Sequence, residues 1–160
     1  MIRLAKLTDY GLVLMTAMAR NGTASVHTAR DVASGTHLPL PTVSKLLKQL
    51  LQSGLLISHR GINGGYGLAK DPAEISVAEI IAAIEGPIAL TECMTDVSGL
   101  CDLEPSCPIK TNQRVLSDVV RAALQKVTLS DLAQPTQLTA IRGMDGKLVP
   151  TAGHLSGRVQ

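Results

Sequence analysis

The stretch from Pro41 to Lys70 constrains the fold more than any other part of this chain. Its first half has apolar residues at i, i+3, i+4, i+7 and i+8, namely Val43, Leu46, Leu47, Leu50 and Leu51. This spacing predicts an amphipathic helix that begins at Pro41 and ends at Gly54. The period then changes, since L-L-I-S-H-R and Y-G-L-A-K read as two short strands joined by the turn G-I-N-G-G. A helix followed directly by a hairpin is therefore expected.

Two further helices are predicted upstream of this stretch. Thr8 is expected to cap the first, which Gly22 ends, and Thr28 is expected to open a short second helix that stops near Gly35. The order of helix, short helix, turn, amphipathic helix and hairpin is typical of a winged helix-turn-helix. The chain has no Trp or Phe and only two Tyr, so aliphatic residues must fill its core. A mainly α fold with a two-stranded β wing follows.

The second half of the chain is predicted to continue as helices around a loop. Ser76 and Glu79 form a capping-box pattern that starts a helix ending at Gly86. A second amphipathic pattern runs from about Pro108 to Val127. The predicted boundaries are a DNA-binding domain at 1–70, a linking helix at 71–90, a cysteine segment at 91–107, a long helix at 108–134 and a mostly disordered tail at 135–160.

The charge distribution favours a polyanionic partner for the N-terminal half. Residues 1–70 carry eight Lys or Arg against two Asp, whereas residues 71–160 carry seven against eleven Asp or Glu. A solvated basic face would give the same imbalance, but the order of elements favours double-stranded DNA. On the 41–53 helix the polar side chains lie opposite the apolar stripe, where a recognition helix meets base edges and phosphates. The predicted DNA-binding residues are Thr28, Pro41, Thr42, Ser44, Lys45, Lys48, Arg60, Asn63 and Gly64.

The hairpin tip, R-G-I-N-G-G-Y, places one guanidinium beside three glycines. Glycines lack side-chain bulk, so this backbone can approach a duplex closely, with Arg60 in the minor groove or on phosphate. A nucleotide-binding loop is disfavoured because such loops join a strand to a helix and usually include Gly-Lys-Ser/Thr. For some of the three glycines, turn geometry alone is a sufficient reason.

The chain is expected to act in the cytoplasm. It has no uninterrupted apolar run long enough to cross a membrane, and Asp9 interrupts the only apolar stretch near its start. Its three cysteines are an odd number, and thiols in this compartment usually stay reduced. A thiol-redox enzyme is disfavoured because the sequence has no C-x-x-C and no evident general base beside a cysteine. No catalytic residue is predicted.

The three cysteines, Cys93, Cys101 and Cys107, all lie in the acidic stretch E-C-M-T-D-V-S-G-L-C-D-L-E-P-S-C-P. Zinc and iron–sulfur clusters both use thiolate and both need four ligands, so one ligand is missing. Taken alone, the spacing leaves isolated thiols, a partial zinc site and a cluster all open. For zinc, the fourth ligand would be Asp9 or one of His27, His37 and His59.

Four stretches together resemble a known family. These are L-T-D-Y-G-L, P-T-V-S-K-L-L-K-Q-L-L-Q-S-G-L-L, the wing R-G-I-N-G-G-Y-G-L-A-K, and I-E-G-P-I-A-L-T-E-C. The chain is similar over about 1–133 to winged-helix iron–sulfur transcription regulators of the IscR/NsrR type, most closely to the branch that regulates SUF-type cluster assembly. The resemblance implies a homodimer joined through the 108–127 helix. It also implies the role of a repressor, and an iron–sulfur cluster, two-iron or four-iron, held by Cys93, Cys101 and Cys107.

The resemblance also bears on the missing ligand. Some relatives place a histidine three residues after the third cysteine, but this chain has Lys110 there, and an ammonium has no lone pair for a metal. Other relatives use a carboxylate on the first helix, and Asp9 stands at that position. One alternative is a nitric-oxide or redox sensor on the same scaffold. Another, of a different class, is a zinc-stabilised interaction module that does not bind DNA.

Overall fold

The structure is a computed structural model that describes residues 3–22, 25–91, 101, 106–134, 140–142 and 148–150. The helices are α1 Lys6–Arg20, α2 Ala29–Thr36, α3 Leu40–Gln52, α4 Val77–Glu85, α5 Lys110–Gln125 and α6 Leu129–Ala133, with a 3-10 turn at Pro72–Glu74. The strands are β1 Leu56–His59, β2 Gly65–Leu68, β3 Ala140–Arg142 and β4 Leu148–Pro150. In the part of the chain that the structure describes, no helix is long and apolar enough to cross a membrane.

The winged helix-turn-helix predicted for the N-terminal half is confirmed. Helices α1, α2 and α3 pack together, and β1 pairs with β2 in antiparallel register from Leu56 opposite Leu68 to His59 opposite Gly65. Leu14, Met15, Leu46, Leu47 and Leu50 are fully buried at the centre. The core is aliphatic, as the composition requires, and α1 contributes to it along its whole apolar side.

Helices α4 and α6 extend this core from the other side of α1. Val77 donates its backbone N–H to the Val127 carbonyl at 2.8 Å, and Leu129 donates to Ile75 at 2.7 Å. Ile75, Ile80 and Leu129 are fully buried as a result. The predicted capping box at Ser76 and Glu79 is present, and Thr128 with Asp131 forms another at the start of α6.

Helix boundaries differ from the predicted ones in three places. Thr8 is not the cap of α1, because the helix begins at Lys6 and Thr8 is buried within its first turn. Helix α3 begins at Leu40, so Pro41 is its second residue, where a missing N–H is equally harmless. Helix α5 begins at Lys110 because Ile109 has the non-helical angles φ −108° and ψ 8°.

Strands β3 and β4 lie inside the range predicted to be mostly disordered. They pair antiparallel, with Ile141 opposite Val149. The runs A-I-R and L-V-P contain the β-branched residues Ile141 and Val149, which favour strands. Local β propensity therefore accounts for this pairing within an otherwise low-periodicity sequence.

Candidate nucleic-acid interface and cysteine segment

Helix α3 presents one polar face to solvent. Val43, Leu46, Leu47 and Leu50 are buried, which turns the opposite side of the helix outward. Pro41, Ser44, Lys45 and Lys48 are exposed there, and Thr42 is half-buried. Gln49, another polar residue of this helix, is half-buried with its Oε1 atom enclosed. Two ammonium groups and a hydroxyl thus share a surface suited to a duplex.

Thr28 lies at the N-terminus of α2, exposed but with its hydroxyl already engaged. Its Oγ1 accepts the Asp31 N–H at 3.2 Å and donates to Asp31 Oδ2 at 2.7 Å. The Thr28 N–H donates to the same carboxylate at 2.9 Å. The hydrogen bond from the Thr28 side chain, followed by that from its backbone, lowers the pKa of Asp31, so this cap is ionised at neutral pH. Thr28 therefore has a structural role besides its predicted DNA contact.

The wing tip exposes Arg60 and Asn63 and partly buries Gly64. A Cβ added at Gly64 would lie 2.5 Å from the His59 carbonyl oxygen, and one at Gly65 would lie 2.5 Å from the His27 carbonyl oxygen. These two glycines are thus required by the fold of the hairpin itself. Of the three glycines, only Gly61, at φ +110°, has open space around it.

A backbone bridge that the sequence pattern does not reveal fixes the wing to the rest of the domain. The His27 N–H donates to the Tyr66 carbonyl at 2.9 Å, and the Tyr66 N–H donates to the His27 carbonyl at 2.8 Å. The segment before α2 therefore forms a third, one-residue strand beside β2. A single bridge produces no periodic pattern in the sequence. The sequence feature that goes with it is Gly65, where a side chain would clash with the His27 carbonyl.

Asp9 is exposed on the first turn of α1, and the residue before it contacts α4. The Glu85 carboxylate, at the end of α4, accepts the Ala5 N–H at 2.9 Å and also the Thr8 hydroxyl. Since Ala5 has no side-chain cap to offer, Glu85 performs the capping function that the sequence assigned to Thr8. The negative end of α4 thereby meets the positive end of α1.

The chain leaving α4 is held at a second point before the cysteines. Leu90 donates its backbone N–H at 3.2 Å to the hydroxyl of Ser117, a buried residue in the middle of α5. Residues 86–91 thus connect α1, through Glu85, to α5. Neither anchor has a local sequence signal, because the partners are 77 and 27 positions apart.

Two of the three cysteines lie among the described residues. Cys101 and Cys107 are half-buried free thiols, and the Cys107 carbonyl accepts the Lys110 N–H at 3.4 Å at the start of α5. Cys93 lies outside the described residues. Within the described ranges, His, Cys, Asp and Glu side chains form no group of three able to hold a metal, so the structure does not bring Asp9 together with Cys101 and Cys107.

Helix α5 exposes an apolar stripe. Ile109, Val115, Leu116 and Val119 are each between 42% and 57% exposed, and Ser117 is the only buried residue of the helix. Leu116, Val119 and Ala123 follow one another at i, i+3 and i+7, on the side opposite Gln125. The structure thus leaves an apolar face exposed on the helix through which the family resemblance implies dimerisation.

Known proteins share both sequence and architecture with this chain. The family model described as "Rrf2: Iron-dependent Transcriptional regulator" matches residues 4–135. The HTH-type transcriptional regulator NsrR of Shouchella clausii is 31% identical over 134 residues, which cover 82% of this chain and 88% of NsrR. The HTH-type transcriptional regulator IscR of Salmonella paratyphi B is 29% identical over 159 residues, covering 99% of this chain and 94% of IscR.

Among solved structures, CymR, the global cysteine regulator of B. subtilis, superposes with a TM-score of 0.64 at 28% identity. The match covers 83% of this chain and 97% of CymR. The winged fold, the basic face of α3 and these relatives agree on a DNA-binding transcription regulator and not an enzyme. This chain belongs to the Rrf2 family of transcriptional regulators.

Proposed function

We propose that this regulator is a homodimeric repressor that senses iron–sulfur status and controls SUF-type cluster assembly genes from the cytoplasm. The observation that carries the proposal is the position of the free thiols of Cys101 and Cys107, between a winged DNA-binding domain and α5, in a chain matched by an iron-dependent regulator family. Cys93 completes the set of three thiols in the sequence.

The available side chains suit a cluster chemically. Thiolate is the ligand that iron–sulfur clusters use most, and the exposed carboxylate of Asp9 is the proposed fourth donor. Lys110, as an ammonium, does not coordinate. When bound, a two-iron or four-iron cluster would supply sensitivity to oxidants and to iron supply. The chain's own contribution is to hold these donors and to connect them to the DNA-binding domain.

The contact of Glu85 with the start of α1 supports that connection. Glu85 holds the helical turn that carries Asp9, and the chain reaches Cys93 eight positions after Glu85. A change in the cysteine segment would therefore act on α1, which packs against both α2 and α3. Coordination by Asp9, in the same subunit or across a dimer, would strengthen this coupling between the two sites.

The exposed stripe of α5 supports the homodimer. Three β-branched or leucine side chains, Val115, Leu116 and Val119, stay about half in water in the single chain. Covering each of these side chains fully would contribute on the order of 1 kcal/mol to the free energy of dimer formation, at ~25 cal/mol per Å² of apolar area. A symmetric pair of such helices is the simplest way to cover them and to present two α3 helices to one operator.

Anaerobic purification of the full chain tests the cluster. The proposal predicts a coloured protein with thiolate-to-iron absorption bands and with iron and acid-labile sulfide in near-equal amounts. Single Cys93→Ala, Cys101→Ala and Cys107→Ala variants should lose both the colour and the sulfide. A colourless protein that contains only zinc would contradict the proposal and favour a zinc-stabilised module.

Asp9→Ala tests the fourth ligand. The expected result is an altered absorption spectrum and a smaller difference in DNA affinity between cluster-loaded and cluster-free protein. An unchanged spectrum with an unchanged response to cluster loss would eliminate Asp9 as a ligand.

Thr8→Val tests the coupling path separately, because it removes only the hydroxyl that donates to Glu85. Its cluster content should stay normal while the difference in DNA affinity between the two states falls. Thr128→Val is the matched control, since it removes a capping hydroxyl from α6, away from Glu85. Equal responses in the two variants would contradict the coupling path.

A nitric-oxide or redox sensor is the second candidate. The exposure of Asp9 favours it, because a carboxylate binds cluster iron more weakly than a thiolate and leaves that corner open to exchange. Titrating the cluster-loaded protein with nitric oxide, and separately with oxygen, distinguishes the candidates. DNA affinity that responds to sub-equimolar nitric oxide but not to iron limitation would favour the nitric-oxide sensor.

A further inference from the structure

Ile62, at the tip of the wing, is the most exposed apolar side chain that the structure describes. Its relative exposure is 106%, whereas the next most exposed large apolar residue, Val115 on α5, reaches 57%. Ile62 therefore makes no contact that stabilises the folded domain. Its branched aliphatic side chain is therefore fully available to a binding partner.

The local backbone makes the choice of residue more unusual. The Gly64 N–H donates to the Gly61 carbonyl at 3.0 Å, which closes a turn with Ile62 and Asn63 at its two corners. Turn corners favour Gly, Pro, Asn, Asp and Ser, each for a backbone reason, and Asn63 follows this preference. Isoleucine does not, since a β-branched side chain prefers the extended region. Folding thus gives no reason for Ile62.

The wing holds this side chain out on a fixed support. The paired backbone hydrogen bonds between His27 and Tyr66 anchor β2 to the domain. Gly64 and Gly65 pack so closely on the carbonyls of His59 and His27 that no side chain fits at either position. The tip is therefore pre-organised, so little conformational entropy would be lost when it meets a partner.

The neighbours of Ile62 indicate which partner fits. The exposed Arg60 guanidinium and the exposed Asn63 amide flank it, within a half-chain of net positive charge. Arg and Asn read the minor groove, and proteins that bind there often insert Ile, Leu, Met, Phe or Pro between base steps. The minor groove accommodates the guanidinium, the amide and the apolar side chain together, whereas a protein partner would need a separate polar group for each of Arg60 and Asn63.

We propose that Ile62 is an apolar wedge that the wing inserts into the minor groove of double-stranded DNA, between Arg60 and Asn63. Arg60 supplies the attraction to phosphate and to the narrow groove, and Ile62 supplies contact with partly unstacked base edges. Unstacking bends the duplex, and pyrimidine–purine steps unstack most easily. Ile62 thereby makes binding depend on the deformability of the sequence under the wing, without hydrogen bonds to bases.

The test measures DNA binding of the full-length protein across a salt series. The probe is a duplex that the wild-type protein selects from a random-sequence pool, labelled at both ends so that energy transfer reports the bend. Ile62→Ala should weaken binding about 5- to 20-fold with an unchanged salt slope, because no charge is removed, and it should reduce the bend. Arg60→Ala should weaken binding and lower the slope by about 1. Ile62→Met should retain most of the affinity and the bend.

Ile57→Ala is the matched control, because it shortens an exposed isoleucine on the shaft of the same hairpin. It should bind within about twofold of wild type, a difference within ordinary variation. Equal affinity and equal bending for Ile62→Ala and wild type would overturn the proposal. Loss of affinity in Ile62→Ala accompanied by loss of the dimer in sedimentation would overturn it in favour of a subunit contact.

Discussion

Helices α3 and α5 are both amphipathic, and they differ in what covers their apolar side. In α3, Val43, Leu46, Leu47 and Leu50 are fully buried by the chain's own core. In α5, Val115, Leu116 and Val119 remain about half exposed. The polar face of α3 is therefore free for DNA, whereas the apolar face of α5 is free for a second protein chain. Two helices with similar amphipathic patterns thus expose different faces: α3 exposes its polar face, and α5 also exposes its apolar one.

The largest expected effect comes from shortening the α3 stripe. Leu50→Ala removes a fully buried side chain and should lower the free energy of unfolding by about 2–5 kcal/mol. Urea titrations followed by circular dichroism measure it. The counterpart in α5 is Leu116→Ala. It should lower the free energy of unfolding of the single chain, the part that does not depend on protein concentration, by less than about 1 kcal/mol. Equal losses in the two variants would mean that the chain itself buries α5.

A charge on the α5 stripe should break its proposed contact. Leu116→Glu places a carboxylate where another apolar face would cover it, and we expect a monomer in sedimentation. Operator affinity should fall about 100-fold, because one winged domain replaces two on the duplex. Gln125→Glu, on the opposite side of α5, should stay dimeric. A Leu116→Glu protein that remains a tight dimer would move the subunit contact elsewhere.

Removing a cation from the α3 polar face should affect DNA alone. Lys48→Ala should weaken binding about tenfold at low salt and reduce the salt slope by about 1, with unfolding unchanged. Lys126→Ala, which removes an exposed cation at the end of α5, should leave both quantities near wild type. Fluorescence anisotropy with labelled duplexes measures this. Similar losses of DNA affinity in the two variants would indicate that the net charge of the protein attracts DNA, and not the polar face of α3.

A smaller effect than those of Leu50→Ala, Leu116→Glu and Lys48→Ala is expected at the cap of α4, the helix between α3 and α5 in the chain. Ser76→Ala should lower the free energy of unfolding by about 1 kcal/mol at neutral pH. Hydrogen bonds from the Ser76 backbone, and then from its side chain, lower the pKa of Glu79. The contribution of Glu79 is therefore present above its ordinary pKa of about 4.3 and is lost as pH falls through the lowered value. Glu79→Gln should lack this acid-dependent loss.

Short-range chemistry made much of this fold predictable from the sequence. The stripe of α3, the capping boxes at Thr28 and Ser76, and the hairpin each depend on residues only a few positions apart. Thr8 shows the limit. A threonine near the predicted helix start favours a cap at Thr8, but the helix begins at Lys6, and its start is held by Glu85, 77 positions after Thr8. A buried contact of this kind overrides a local preference and has no local pattern.

In the candidate site, too, the features set by neighbouring residues could be predicted from the sequence and the long-range contacts could not. The exposed polar face of α3 and the exposed Arg60 follow from periodicity and from the hairpin. Periodicity could not distinguish α3 from α5, because it reports that one side is apolar and not what covers that side. The anchors at Glu85 and Ser117, which support coupling of the cysteine segment to α1 and α5, likewise required the three-dimensional arrangement.

Coupling between the cysteine segment and the DNA-binding domain would make the affinity for DNA depend on whether the cluster is bound. The affinity of the anaerobically purified protein for a selected duplex is compared with that of the same protein after its cluster has been removed, at one salt concentration. We predict a change of about tenfold or more, the size of an ordinary coupling free energy. The same affinity in both states would show that the cysteine segment and the DNA-binding domain are not coupled.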